Sequence, residues 1–308
     1  MNKVYTCPVL LSTQHHQTTN HCPAIGRSIV LFFVGDYIQD SGAHPDVTRL
    51  QQPSSIIEAL QQRFPGSDVL VIAPSRFEGG CACYDNFLDG KWDLMGEPMR
   101  RTGGYRGSNL KAARQLCSVV KSAFHQLDLS VFEQEGKSWN PLYVVGFSKG
   151  GVVLNQLLAD IAAKGADLRK QSGGGGEQQQ QEEEDVLAML LAIRQVHYLD
   201  VGLNCPGAYL TDTQTLENLG LFFKLLRKCY DETSDWCPFE IGLHGTPRQW
   251  GGKDARSKRL IAERDAMIQG CKAADIRIYM NLYAYDPCED PRLAMREHFK
   301  CIEYFSGA

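Results

Sequence analysis

Gly146, Ser148 and Gly150 spell G-x-S-x-G directly after an apolar, β-branched run, within Tyr143–Asn155. A serine so placed could carry nucleophilic acyl chemistry. The pattern is that of a nucleophile elbow, a sharp strand-to-helix turn that lifts the hydroxyl above the end of a sheet. Glycines on either side leave room for the crowded backbone. A free hydroxyl is a weak nucleophile near neutral pH, so it needs an imidazole to take its proton and a carboxylate to orient that imidazole. In α/β-hydrolases these follow in the chain order Ser, acid, His. His298, after the last predicted strand, is therefore the leading base, with His244, at the end of an earlier strand, as the alternative. Asp200 is the first choice of acid, because it ends the first strand after Ser148 and precedes Gly202. Asp254, in the long loop from Gly245, is the competing acid. His197 lies inside a strand and reads as a core residue. Oxyanion stabilisation calls for the backbone N–H of Lys149 and one from the loop after Val34, where Gly35, Asp36 and Tyr37 stand. The Lys149 side chain is expected to point to solvent, the alternative being a cationic neighbour for an anionic substrate.

These groups need a scaffold, and the sequence supplies one by alternating strand and helix patterns, the signature of a mostly parallel sheet covered on both faces. Apolar runs predict strands at Ser28–Val34, Asp68–Ala73, Leu142–Val145, Val196–Val201, Phe239–Leu243 and Ile276–Tyr285. Helical periodicity predicts helices over Pro53–Phe64, Ser108–Leu127 with Ser108 as its cap, the stretch after Ser148, Thr211–Cys229, Ser257–Lys272 and Pro291–Phe305. The fold class this spells is an α/β-hydrolase. Residues 1–27 read as a flexible segment and 28–308 as one domain. Residues 164–185, with their Gly, Gln and Glu runs, read as a disordered insertion too polar to bury anything. The long connection from Pro74 to Ser108 carries Tyr84, Phe87 and Trp92, and its aromatic content favours a lid or pocket wall over disorder.

Bulk properties narrow the function classes. A net charge of −4 over 308 residues gives no sign of a nucleic-acid surface. No apolar stretch approaches the roughly 20 residues that cross a bilayer. Eleven cysteines, several inside apolar helical patterns, fit a reducing compartment, and neither Cys81-x-Cys83 nor the Cys7–Cys22 region with its histidines matches a zinc spacing. No metal or other cofactor is called for. The first residues carry neither a secretory core nor a transit-peptide pattern.

Beyond the short motif, the residues resemble the α/β-hydrolase-like family of the human chromosome 2 open-reading-frame 69 protein. The likeness lies in Gly146-Phe147-Ser148-Lys149-Gly150 with Val152 to Leu158 following. It extends to Gly35-Asp36, Arg63-Phe64-Pro65, Cys83 to Phe87, Leu199-Asp200, His244 with Thr246-Pro247 and Gln249, and His298-Phe299. The resemblance implies a mitochondria-associated serine hydrolase and supports Ser148, Asp200 and His298 as its triad. A cytoplasmic location is the alternative.

Two functions of different class remain. One is an enzyme cleaving an ester or thioester, its partner a small acyl substrate with lipid-like chains among the candidates. The other is a catalytically silent hydrolase fold kept as a binding or regulatory scaffold, because fold does not dictate function. Phosphate binding at the elbow lacks the longer P-loop pattern. Protein partners are not legible.

Overall fold

The computed structural model describes residues 9–12, 28–39, 43–99, 104–127, 139–168, 177–229, 239–283 and 290–305. Strands β2 (Ile29–Phe33), β3 (Asp68–Ile72), β6 (Leu142–Phe147), β7 (Ile193–Leu199), β8 (Glu240–Gly245) and β9 (Arg277–Leu282) lie parallel. With β1 (Val9–Ser12), which pairs antiparallel to β3, they form one sheet in the order β1-β3-β2-β6-β7-β8-β9. β1 thus forms one edge, β2 enters inside the sheet, β3 fills the place between them, and the chain then crosses to β6 and steps outwards to β9 at the other edge.

Both faces of β2 are covered, which is why all five of its residues are apolar and buried. Alternation then splits the interior. Ile29, Leu31, Phe33, Leu142 and Val144 pack on one side, against α3 (Lys111–Gln126), α4 (Gly151–Leu168), α6 (Thr213–Cys229) and α8 (Ala255–Ala273). Val30, Phe32, Val145 and Phe147 pack on the other, against α1 (Pro45–Leu50), α2 (Pro53–Arg63) and α9 (Pro291–Tyr304). Each fully buried Leu or Phe here contributes roughly 1.5–3 kcal/mol by leaving water. A register slip of one residue would turn each set onto the wrong face.

Several expectations are corrected. Val9–Ser12 extends the sheet, so the first 27 residues are not uniformly flexible; the rest of them lie outside the described residues. Lys164 and its neighbours finish α4, and Glu177–Asp185 belongs to α5 (Glu177–Ala192), whose later turns bury Val186, Met189 and Leu190. Gln and Glu are good helix formers, and the apolar residues just beyond them anchor the helix. Ion pairs from Lys121 to Asp185 and from Lys164 to Glu183 dock its acidic side. Residues 169–176 lie outside the described set.

Ser108 does not cap α3 either. The N-cap is Leu110, in a left-handed conformation with no side-chain bond. Instead the Asp160 carboxylate of α4 accepts the Ala113 N–H of the first turn at 3.0 Å. A neighbouring helix thus satisfies a donor that local sequence leaves open. The connection after β3 folds as a hairpin, β4 (Arg76–Glu78) and β5 (Cys81–Cys83), followed by Tyr84, Phe87 and Leu88 in the core. No helix among the described residues is long and apolar enough to cross a membrane.

Candidate active site

β6 delivers Ser148 at its carboxyl end. The serine opens a single 3-10 turn, Ser148–Gly150, that runs straight into α4, and its φ of 50° is in the left-handed region costly to side chains other than glycine. The strain is held by close packing. A Cβ on Gly146 would meet Leu154 at 2.8 Å and the Gly150 carbonyl at 2.9 Å, and one on Gly150 would strike the Phe33 carbonyl. One on Gly35 would meet the Ser148 Cβ at 2.6 Å. Gly35 is therefore part of the elbow's surroundings, pressing the loop after β2 onto the serine.

Asp200 follows β7, is fully buried and also has a left-handed φ, of 43°. Its N–H donates to the His244 carbonyl at 2.6 Å. Its Oδ1 accepts the Thr246 N–H at 2.7 Å, and its Oδ2 accepts the Thr246 hydroxyl at 2.8 Å. The same Oδ2 accepts His298 Nδ1–H at 2.6 Å. A carboxylate can only accept, so this bond fixes the imidazole tautomer and leaves Nε2 with its lone pair. His298 projects from α9, 5 % exposed, with its ring 4.6 Å from that of Phe147, the residue before Ser148. Burial lowers its pKa below the ordinary histidine value, and the Asp200 bond and charge pull against that shift. At neutral pH the ring is thus uncharged.

The alternatives sit elsewhere. His244 is buried beneath the site, its Nδ1 2.9 Å from the Tyr283 hydroxyl and its Nε2 3.2 Å from His197 Nδ1. Asp254 caps α8, accepting the Ser257 N–H at 3.0 Å and its hydroxyl at 2.7 Å. Tyr37 is corrected as an oxyanion donor, since its N–H is already given to the Gly80 carbonyl at 2.7 Å. Asp36 faces the elbow differently: its Oδ1 accepts the Ala82 N–H at 2.8 Å and lies 3.7 Å from Lys149 Nζ.

The Lys149 side chain is likewise corrected, being 2 % exposed and not solvent-directed. Its ammonium donates to the Met95 carbonyl at 2.8 Å, with Glu97 Oε1 at 3.9 Å. Glu97 in turn accepts from the Asn204 and Cys205 N–H groups, each at 3.0 Å. One cation thereby joins the elbow, the Asp36 loop and the long connection, which makes that connection a wall of the site. Met95 and Glu97 carry no signal of role in the sequence, and for Thr246 the sequence offers only its place in the family-like run and no hint that it binds Asp200. In the structure Thr246 caps no N–H of α7 (Pro247–Trp250) and is free to bind Asp200.

A parallel sheet wound on both sides, with a strained serine between a strand and a helix, defines the α/β-hydrolase fold. No family model matches the chain. It is similar to the mitochondrial protein C2orf69 homolog of Danio rerio, with 30 % identity over 157 residues. That bears out the resemblance read from the residues, over a match covering 46 % of this chain and 44 % of the relative's length. Among solved structures, the siderophore hydrolase EstB from Aspergillus nidulans superposes with a TM-score of 0.43 at 12 % identity, covering 96 % of this chain and 89 % of that one. A Bacillus cereus carboxylesterase gives 0.40 at 10 % identity, covering 96 % and 94 %.

Proposed function

We propose that this protein is a serine hydrolase of carboxylic esters or thioesters, with Ser148 as nucleophile, His298 as base and Asp200 as the acid that orients it. The observation that carries the reading is the 2.6 Å bond from His298 to Asp200, formed against Phe147, next to a serine held at a φ of 50°. As Ser148 Oγ bonds to the substrate carbonyl carbon, His298 Nε2 takes its proton. The N–H of Lys149 and one from Gly35-Asp36 would receive the developing oxyanion. Collapse breaks the bond to the leaving oxygen or sulfur, which receives the proton from the imidazolium. Water then repeats the sequence and frees the acid and the serine.

No cofactor enters this scheme, and no nucleic acid or protein partner is part of it. The name of the Danio rerio relative supports a mitochondrial location, which organelle fractionation of the full chain tests. The chemistry is tested with a fluorophosphonate probe on purified wild type, Ser148→Ala and His298→Ala. Labelling of wild type alone supports the enzyme. A well-folded wild type that does not label sinks it and leaves the silent scaffold.

A further inference from the structure

Beside the elbow, on the face covered by α2 and α9, lies a cavity of about 350 Å³. Its inner wall is Phe32, Val71, Ile56 and Phe299, and its mouth is flanked by Tyr37 and Phe77. Two of its lining residues belong to the elbow's surroundings: Gly35, which presses on the Ser148 Cβ, and Phe147, which packs on His298. The cavity therefore reaches the elbow's immediate neighbours, Gly35 and Phe147, while Ser148 and His298 stand outside its lining. Tyr37 and Phe77 are 43 % and 46 % exposed with rings 6.1 Å apart, a large aromatic pair left at the entrance.

The Gln51 and Asp36 side chains in this wall are already engaged. The Gln51 amide bonds both the N–H and the carbonyl of Ile38, at 2.5 and 3.3 Å. Asp36 is held by Ala82 and faces Lys149. Among the described residues, none of the buried side-chain polar atoms without a partner belongs to this lining. An occupant of the inner part meets an apolar wall, and what it gains there is removal of apolar surface from water.

We propose that this cavity takes the acyl part of the substrate, and that this part is a single aliphatic chain of medium length. The proposal rests on Ser148 being the nucleophile, since the chain must run from a carbonyl at the elbow. Length follows from volume. At about 30 Å³ for a group the size of a water molecule, the space of about 350 Å³ holds roughly a dozen such groups. It stands near the lower end of the roughly 300–1,000 Å³ of small-molecule sites, which suits one chain of that length.

The experiment is a series of p-nitrophenyl esters from acetate to hexadecanoate, with benzoate beside them. Each added methylene is expected to raise kcat/KM about fourfold until the cavity is full, with the maximum near octanoate or decanoate. Ala73→Phe and Val34→Phe, two half-buried rim positions, narrow the space and are expected to move the maximum towards butyrate; melting curves show which variant is folded. A second arm needs no turnover: calorimetric binding of 2-alkanones of the same lengths to Ser148→Ala, expected to tighten about fourfold per methylene and to weaken in the Ala73→Phe background. Ester cleavage that is flat with length, greatest for acetate, or greatest for benzoate overturns the proposal and leaves the hydrolase standing. Length-dependent ketone binding without Ser148-dependent cleavage keeps the cavity as a chain site and removes the hydrolase. Ketones that do not bind overturn the proposal by themselves.

Discussion

One histidine, His298, and a histidine pair, His197 with His244, are buried on the same side of the sheet, and they differ in their partners. His298 has a carboxylate on Nδ1, which leaves Nε2 free to take a proton. His197 and His244 have each other, with Gln195 and Tyr283 at the outer ring nitrogens, at 3.1 and 2.9 Å. A neutral chain satisfies every one of these contacts: His197 Nε2–H donates to Gln195, His244 Nε2–H donates to His197, and Tyr283 donates to His244. No ring nitrogen is left over. Burial drives both of these imidazoles well below the ordinary pKa. The same side chain in similarly dry surroundings is thus the proposed base in one place and a core bridge in the other, and the difference is a carboxylate 2.6 Å away.

The contrast is most sharply broken at the acid. Asp200→Asn keeps the shape but no longer requires Nδ1–H, and the fluorophosphonate labelling rate of Ser148 is expected to fall by about 10⁴-fold. Thr246→Val removes the hydroxyl that Asp200 Oδ2 accepts at 2.8 Å. A lost bond to a charged group is worth about 1.5 kcal/mol, so the labelling rate should fall roughly tenfold. If instead His244→Gln costs as much labelling as Asp200→Asn, the division of roles drawn above is wrong.

Acid stability tests the histidine pair. His197 and His244 have folded pKa values below their unfolded value of about 6.5, so below that pH the unfolded chain binds more protons. Their contribution is full above pH ~6.5 and is lost on acidification. Asp160 has the opposite sign: burial pushes its carboxyl from 3.8 up to about 7, so its contribution is lost as pH rises through that window. Urea unfolding of the double variant His197→Gln/His244→Gln should therefore show a shallower loss of stability between pH 6.5 and 4.5 than wild type. The smallest effect is expected from Asp254→Ala, which unties the Ser257 N–H at the start of α8: a slightly lower Tm and an unchanged labelling rate.

Much of this was legible because it is local. The elbow, the β-branched strands and the amphipathic helices each announce themselves within a dozen residues, and the order Ser, Asp, His orders the candidates. Boundaries shifted by a few residues, as with Leu142–Val145 extending to Phe147. What misled was composition. The Gln- and Glu-rich tract reads as too polar to bury anything, yet its far end has the apolar residues that hold α5 in place. Lys149 reads as a solvent-facing charge because nothing near it in sequence shows that Met95, Glu97 and Asp36 close over it.

The sequence by itself determined the parallel sheet and the serine turn, since these follow from the period of apolar residues and from glycines where a Cβ would collide. Only the tertiary structure decided which carboxylate meets which histidine. Asp200 and His298 are 98 residues apart, and position along the chain ranks them above Asp254 and His244 without showing that they meet. The same holds for the cavity: its lining comes from β2, β3, β4, β6, α1, α2 and α9, and a void exists only where these elements fail to fill the space between them.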